Sequence, residues 1–159
     1  MTLKERQAQK LAEFVHLGQL RRGGKPYITH PERIVHYLKV SPEINLTEDM
    51  ICAAWLHDVP EMCDCRLGIH QVIANYFSPT TMHLVAALTH EKHETYNEYI
   101  QTVAKYPEAL IIKFADMRDN TTDIVIGTQQ FEKYRNACVL LQKNNIEIPK
   151  VLKWRLQIP

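Results

Sequence analysis

The sequence predicts an all-α protein, a single-domain helical bundle of about seven or eight helices. Three observations predict it. Apolar residues recur at the three- and four-residue spacing of a helix face almost throughout the 159 residues. The Asn-Gly and Asp-Gly pairs that close β-hairpins are absent. Only five glycines occur, and two of them are adjacent at Gly23-Gly24. No linker, low-complexity tract or repeat divides the chain, so residues 1–159 read as one domain.

Each element has its own signal. Leu3 to about Leu20 reads as a first helix, with Leu11, Phe14 and Val15 on one face. Gly23-Gly24-Lys25-Pro26 is a turn. A second helix starts near His30-Pro31, where proline suits the first turn, and carries Ile34, Val35 and Leu38 as its stripe. Pro42 ends that region. Thr47 is a candidate N-cap, with Glu48 and Asp49 placed where the helix dipole favours negative charge. MICAAWL is apolar all round, the mark of a buried central helix. His57-Asp58 follows at its end, and Pro60 is expected to stop it. Further helices are expected near 67–77, 79–90 and 94–105, punctuated by Pro79 and Pro107. ALIIKFAD, residues 109–116, reads as an apolar helix that gives way to the polar string MRDNTTD. Residues 129–143 form a last long helix, and the remainder reads as tail.

Composition narrows the functional classes. Lys plus Arg is 19 and Asp plus Glu is 18. That balance argues against a general nucleic-acid binder or a polybasic membrane protein, while leaving room for a locally basic ligand site. No apolar run approaches the ~20 residues needed to cross a bilayer, and the charged opening MTLKERQAQKLAEF has no signal-peptide core. A cytoplasmic location is the expectation. Cys52, Cys63, Cys65 and Cys138 form no CxxC pair, so they read as reduced thiols rather than a zinc finger or a disulfide set. The apolar helices also offer a surface for a homo-oligomer.

The chemistry concentrates at helix ends. MICAAWL runs into His57-Asp58, LIIKFA runs into Asp116, and His30 opens another helix after the Gly-Gly turn. Carboxylates at the edge of an apolar core are costly unless paired or bound to a cation. Two imidazoles and two carboxylates make a mixed set that suits Mn²⁺, Fe²⁺, Co²⁺ or Zn²⁺ better than Ca²⁺. The residues alone leave other readings open. His30 can be a helix cap, and Asp116 can be an N-cap or an ion-pair partner of Arg118 or Lys113.

Order and context then carry a resemblance. His16-Leu-Gly-Gln-Leu-Arg-Arg-Gly-Gly-Lys-Pro-Tyr-Ile-Thr-His30-Pro31 resembles the H-x-G-Q-x-R-x-x-G-x-P-Y-x-x-H-P opening of the hydrolase domain in RelA/SpoT homologues. AAWLHDVPE resembles that family's A-x-L-L-H-D-x-x-E segment, and IIKFADMRDNTTD its I-x-K-x-A-D-x-x-x-N-x-x. The three motifs occur in the family's order across residues 16–123. The chain therefore resembles an HD-domain metal-dependent phosphohydrolase, most of all the small stand-alone alarmone hydrolases, with no room in this length for a synthetase domain.

The resemblance implies roles. His30, His57, Asp58 and Asp116 match the metal ligands, usually for manganese. Glu61, with Asp58, matches the catalytic acids that work with water. Asn120 matches an asparagine near the nucleotide sugar, and Arg21 and Arg22 match a basic pair that meets the substrate. Lys25, inside the same motif, is expected to assist, while Tyr27 and Lys113 support. His16 is expected to contact the base or brace the arginines. His36, His70 and His83 read as packing or surface residues, and His90 and His93 as candidates to line the pocket. The implied reaction removes the 3′-pyrophosphate from (p)ppGpp to leave GDP or GTP. The alternative is an HD phosphohydrolase for another nucleotide, mono- or triphosphate or phosphorylated dinucleotide.

Two departures bear on the substrate. The family's second acid, directly after the glutamate, is Met62 here, with Asp64 as a candidate stand-in. Met117-Arg118-Asp119 stands where the family has Arg-Leu-His. The positive charge thus moves one position, roughly 100° around a helix.

Overall fold

The computed structural model describes residues 1–63 and 66–159. Asp64, the candidate stand-in acid, and Cys65 lie outside the described residues. Among those described, the regular structure is helical, with a single isolated bridge between Leu20 and Pro26. Among the described residues there are ten helical elements where seven or eight are expected, and the surplus is two short ones at positions where the sequence suggests a stop and a tail. The chain divides into two compact units, Met1–Thr89 and His90–Pro159.

The first unit holds α1 (Leu3–Val15), α2 (Thr29–Lys39), α3 (Glu48–Leu56), α4 (Val59–Met62), α5 (Arg66–Tyr76) and α6 (Pro79–Leu88). Its centre is α3, which packs against α1, α2 and α6. Met50, Cys52, Ala53, Ala54, Trp55 and Leu56 are all buried, as an all-apolar helix requires. Each large side chain among them contributes about 1.5–3 kcal/mol on full burial. Small side chains are buried on both helices, Ala8 and Ala12 on α1 and Ala53 and Ala54 on α3.

Caps fix where the helices begin. Thr47 accepts from the Met50 amide at 3.2 Å, as its sequence position predicts. Ser78 caps α6 in the same way, accepting from Thr81 N. The Ser78 and Thr81 hydroxyls both donate to Asp49, the latter at 2.6 Å, which ties the start of α6 to the start of α3. Lys39 on α2 is ion-paired with the buried Glu5 of α1.

One expectation about this unit needs correction. The first helix ends at Val15 rather than near Leu20, because Gly18 turns the chain at φ 77°. Leu17 and Leu20 continue the apolar pattern but are 82% and 64% exposed. Pro60 follows the end of α3 at Leu56, as expected, but it does not end helical structure there. It sits in the first turn of α4, where its missing N–H costs nothing.

The second unit holds α7 (Tyr96–Val103), α8 (Pro107–Asn120), α9 (Gln129–Lys143) and α10 (Lys150–Arg155). Here α7 packs against α8 and α9, and α10 against α8. Thr95 and Glu98 form a full capping box at the head of α7. The α8 helix continues past Asp116 through MRDN to Asn120, so that string is helix and not loop. The C-terminal stretch is not a loose tail. Ile148, Leu152, Leu156 and Ile158 are buried. Arg155 donates to the Arg118 carbonyl.

Cys52, Cys63 and Cys138 are free thiols. Burial pushes Cys52 and Cys138 up to about 12, which leaves both chemically quiet. No helix among the described residues is long and apolar enough to cross a membrane.

Candidate metal centre

Three elements of the first unit converge on one point. His30 lies in the first turn of α2, after the Gly-Gly turn. His57 is the residue that closes α3, and Asp58 is the one that opens α4. The α3–α4 junction thus sets an imidazole and a carboxylate side by side, where a continuous helix would separate them by about 100°. His30, His57 and Asp58 can each offer one ligand atom, all within 4.8 Å of one another. Asp58 Oδ2 lies 3.5 Å from His30 Nε2 and 3.2 Å from His57 Nε2. The two rings stand edge to face, with centroids 5.2 Å apart. Both histidines are buried, and the Asp58 side chain is 20% exposed, so the group opens on its carboxylate side.

The tautomer of His57 follows from its partner. Its Nδ1 lies 2.9 Å from the Ala54 carbonyl, which can only accept, so Nδ1 carries the proton. The Nε2 lone pair then faces His30 and Asp58. Two buried imidazoles and one carboxylate, with one ring held by a backbone carbonyl, fit a divalent transition-metal ion.

A second layer holds this group. The Tyr27 hydroxyl donates to Asp58 Oδ2 at 2.7 Å. Its ring meets His30 edge-on at 5.8 Å and packs on His16 at 4.7 Å. The Arg21 guanidinium lies 5.8 Å from the same ring. His16 Nδ1 lies 2.9 Å from Gln19 Oε1, and Gln19 in turn donates to the Val15 carbonyl. Burial holds the His16 imidazole below its ordinary value. His16 thus packs behind Tyr27 in this structure.

The other sequence candidates are placed as follows. Glu61 is exposed on α4, three residues after Asp58, and Met62 beside it is 39% exposed. Arg21 is half-buried, and Arg22 and Lys25 are exposed, on a loop closed by the Arg21 amide donating to Lys25 O at 2.9 Å. His36 and His83 are exposed and His70 half-buried. Tyr27 is the residue that sequence reasoning undervalued. Its position three before His30, at the entry to a helix, is the signal that points to it.

Asp116 belongs to the second unit. Its buried carboxylate accepts from Lys113 Nζ at 2.7 Å and from the Asn120 amide, one helical turn to either side. Burial alone would pull the Lys113 ammonium down, but the Asp116 carboxylate beside it holds it well above the usual lysine value. The same ammonium lies 5.0 Å from the Tyr99 ring and 5.8 Å from that of Tyr96. His90 packs on Tyr99 at 4.9 Å, while His93 is exposed. Met117 is fully buried with its sulfur 4.0 Å from that of Cys138, so the position of the family's arginine faces an apolar interior here.

Comparison with known proteins adds to this geometry. The family model described as "HD domain" matches residues 8–136. A guanosine-3′,5′-bis(diphosphate) 3′-pyrophosphohydrolase of Aquifex aeolicus is 28% identical over 95% of this chain and 21% of its own length. A probable GTP pyrophosphokinase of Mycobacterium leprae is 32% identical over 71% of this chain and 15% of its own. The chain thus spans about a fifth or less of these relatives. A solved structure described as "A metazoan ortholog of SpoT hydrolyzes ppGpp and plays a role in starvation responses" is similar at TM-score 0.76 and 27% identity, over 99% of this chain and 93% of that one.

Proposed function

The chain belongs to the HD-domain family, and on that premise we propose that it is a metal-dependent hydrolase of guanosine 3′,5′-bis(diphosphate)-type alarmones. Water is added across the link between the ribose 3′-oxygen and phosphorus. The water oxygen goes to the departing pyrophosphate, and a proton goes to the 3′-oxygen of GDP or GTP. The observation that carries this reading is the meeting of His30, His57 and Asp58, within a chain similar to a ppGpp-hydrolysing protein over nearly its whole length.

Each residue has a task in this reading. His30, His57 and Asp58 hold the cation, which we take to be manganese. Asp116 is assigned as the fourth ligand on its sequence motif. When bound, the ion supplies positive charge for the phosphoryl oxygens and makes water more acidic. Glu61 is the carboxylate that orients the attacking water or takes its proton. Arg21 and Arg22 pair with phosphate, for which the planar guanidinium offers two-pronged contacts, and Lys25 assists. Asn120 is assigned to the sugar. We take residues 1–159 to be one such domain, located in the cytoplasm, with a nucleotide and no nucleic acid or membrane as its partner.

Met62 favours keeping a second reading, in which the same centre hydrolyses another nucleotide. It stands exposed beside Glu61, where the family pattern has a second acid. A nucleotide panel with manganese separates the two. Pyrophosphate released from ppGpp supports the first. Orthophosphate or tripolyphosphate from another nucleotide, with ppGpp untouched, replaces it with the second.

A further inference from the structure

We infer that Tyr27 is a positioning residue that holds the Asp58 carboxylate in its cation-binding orientation, an inference that rests on the metal-centre reading above. The acceptor of the Tyr27 hydroxyl is Asp58 Oδ2, the same oxygen that faces both imidazoles. Asp58 sits at the junction of α3 and α4 and is the most exposed member of the group, so its carboxylate has water to turn toward. A phenol bond at 2.7 Å opposes that rotation.

The phenol is itself well held. Its ring lies against His16 on one contact and His30 on another. Its backbone amide donates to the Gln19 carbonyl at 2.9 Å, closing the loop that carries Arg21. The Arg21 guanidinium lies near the same ring. Tyr27 therefore links the basic loop to the metal carboxylate through a side chain with only two rotatable bonds before its hydroxyl. Hydrogen-bond partners of metal ligands typically account for about 10- to 100-fold in metal affinity.

The test is Tyr27→Phe, which keeps the ring and deletes the hydroxyl. Mn²⁺ binding to the full chain is measured by calorimetry, and melting is measured on metal-free protein. The expected result is affinity weakened by about 10- to 100-fold, with metal-free melting close to that of the unaltered chain. Affinity lowered by less than about tenfold overturns the inference. A weaker affinity accompanied by an equal fall in metal-free stability also overturns it, because the tyrosine would then be merely structural. His57→Ala is measured alongside. Loss of binding there with none in Tyr27→Phe removes this inference alone, whereas unchanged binding in both removes the metal-centre reading itself.

Discussion

Replacing Lys113 with methionine tests the electrostatics around Asp116 directly. Methionine keeps the length and the apolar stem but deletes the ammonium. In the native chain that ammonium is buried and sits 2.7 Å from Asp116 Oδ2, close to the Tyr99 ring. The Asp116 side chain is 5% exposed. Removing one partner of a buried ion pair costs about 3–5 kcal/mol, because the remaining charge stays in a low-dielectric setting. The Asn120 hydrogen bond survives, which argues for the lower half of that range. In a domain of this size each kcal/mol moves the melting point by about 2–4 °C, so a fall of roughly 6–16 °C is expected. The assay is thermal unfolding of metal-free protein by circular dichroism, with Lys113→Arg as a control that keeps the charge. A fall of less than about 2 °C in Lys113→Met refutes the reasoning, since the pair would then contribute nothing net. Added Mn²⁺ should recover part of the loss if Asp116 is a ligand, because a ligand that binds only the folded state raises its stability.

Three further outcomes are expected. Glu61→Gln should retain Mn²⁺ and lower turnover by about 10²- to 10⁴-fold, the usual contribution of a positioned acid or base; loss of the metal instead would make Glu61 a ligand. Asp116→Ala should lose most bound manganese in metal analysis, and full retention would remove it from the ligand set. Glu98, whose carboxyl is held below its ordinary range by the Thr95 amide and hydroxyl, stabilises the head of α7 above that range and ceases to as pH falls through its folded value. Glu98→Ala should therefore melt below the unaltered chain at pH 7, with the gap closing in acid; a gap independent of pH would assign the effect to something other than this carboxylate.

Helix type was legible because it depends on local periodicity and caps. Thr47 and the all-apolar α3 are both readable in a short window of sequence, and both stand in the structure. Helix ends were less legible because they depend on what each apolar residue meets. Leu17 and Leu20 fit the α1 stripe but face solvent beyond the left-handed Gly18. MRDN looks like loop, yet α8 carries it as helix because Met117 and Asp119 are buried. The stretch after Lys143 shows Ile148, Leu152 and Leu156 at four-residue spacing, a helical signal that its short length conceals.

The site divides along the same line. Identity of donors is a sequence property, and His30, His57 and Asp58 could be chosen from their places at helix ends. Their usefulness as donors is a property of the backbone. His57 presents Nε2 because the Ala54 carbonyl, three residues back, receives its Nδ1 proton. Asp58 presents Oδ2 beside His57 because α3 stops and α4 starts between them. Pro60 matters to that break in an unexpected way. A proline cannot donate the amide that would continue α3, but it fits the opening turn of α4 without loss. The residue that interrupts one helix thus begins the next, and the interruption is what lets adjacent residues in sequence face a common cation.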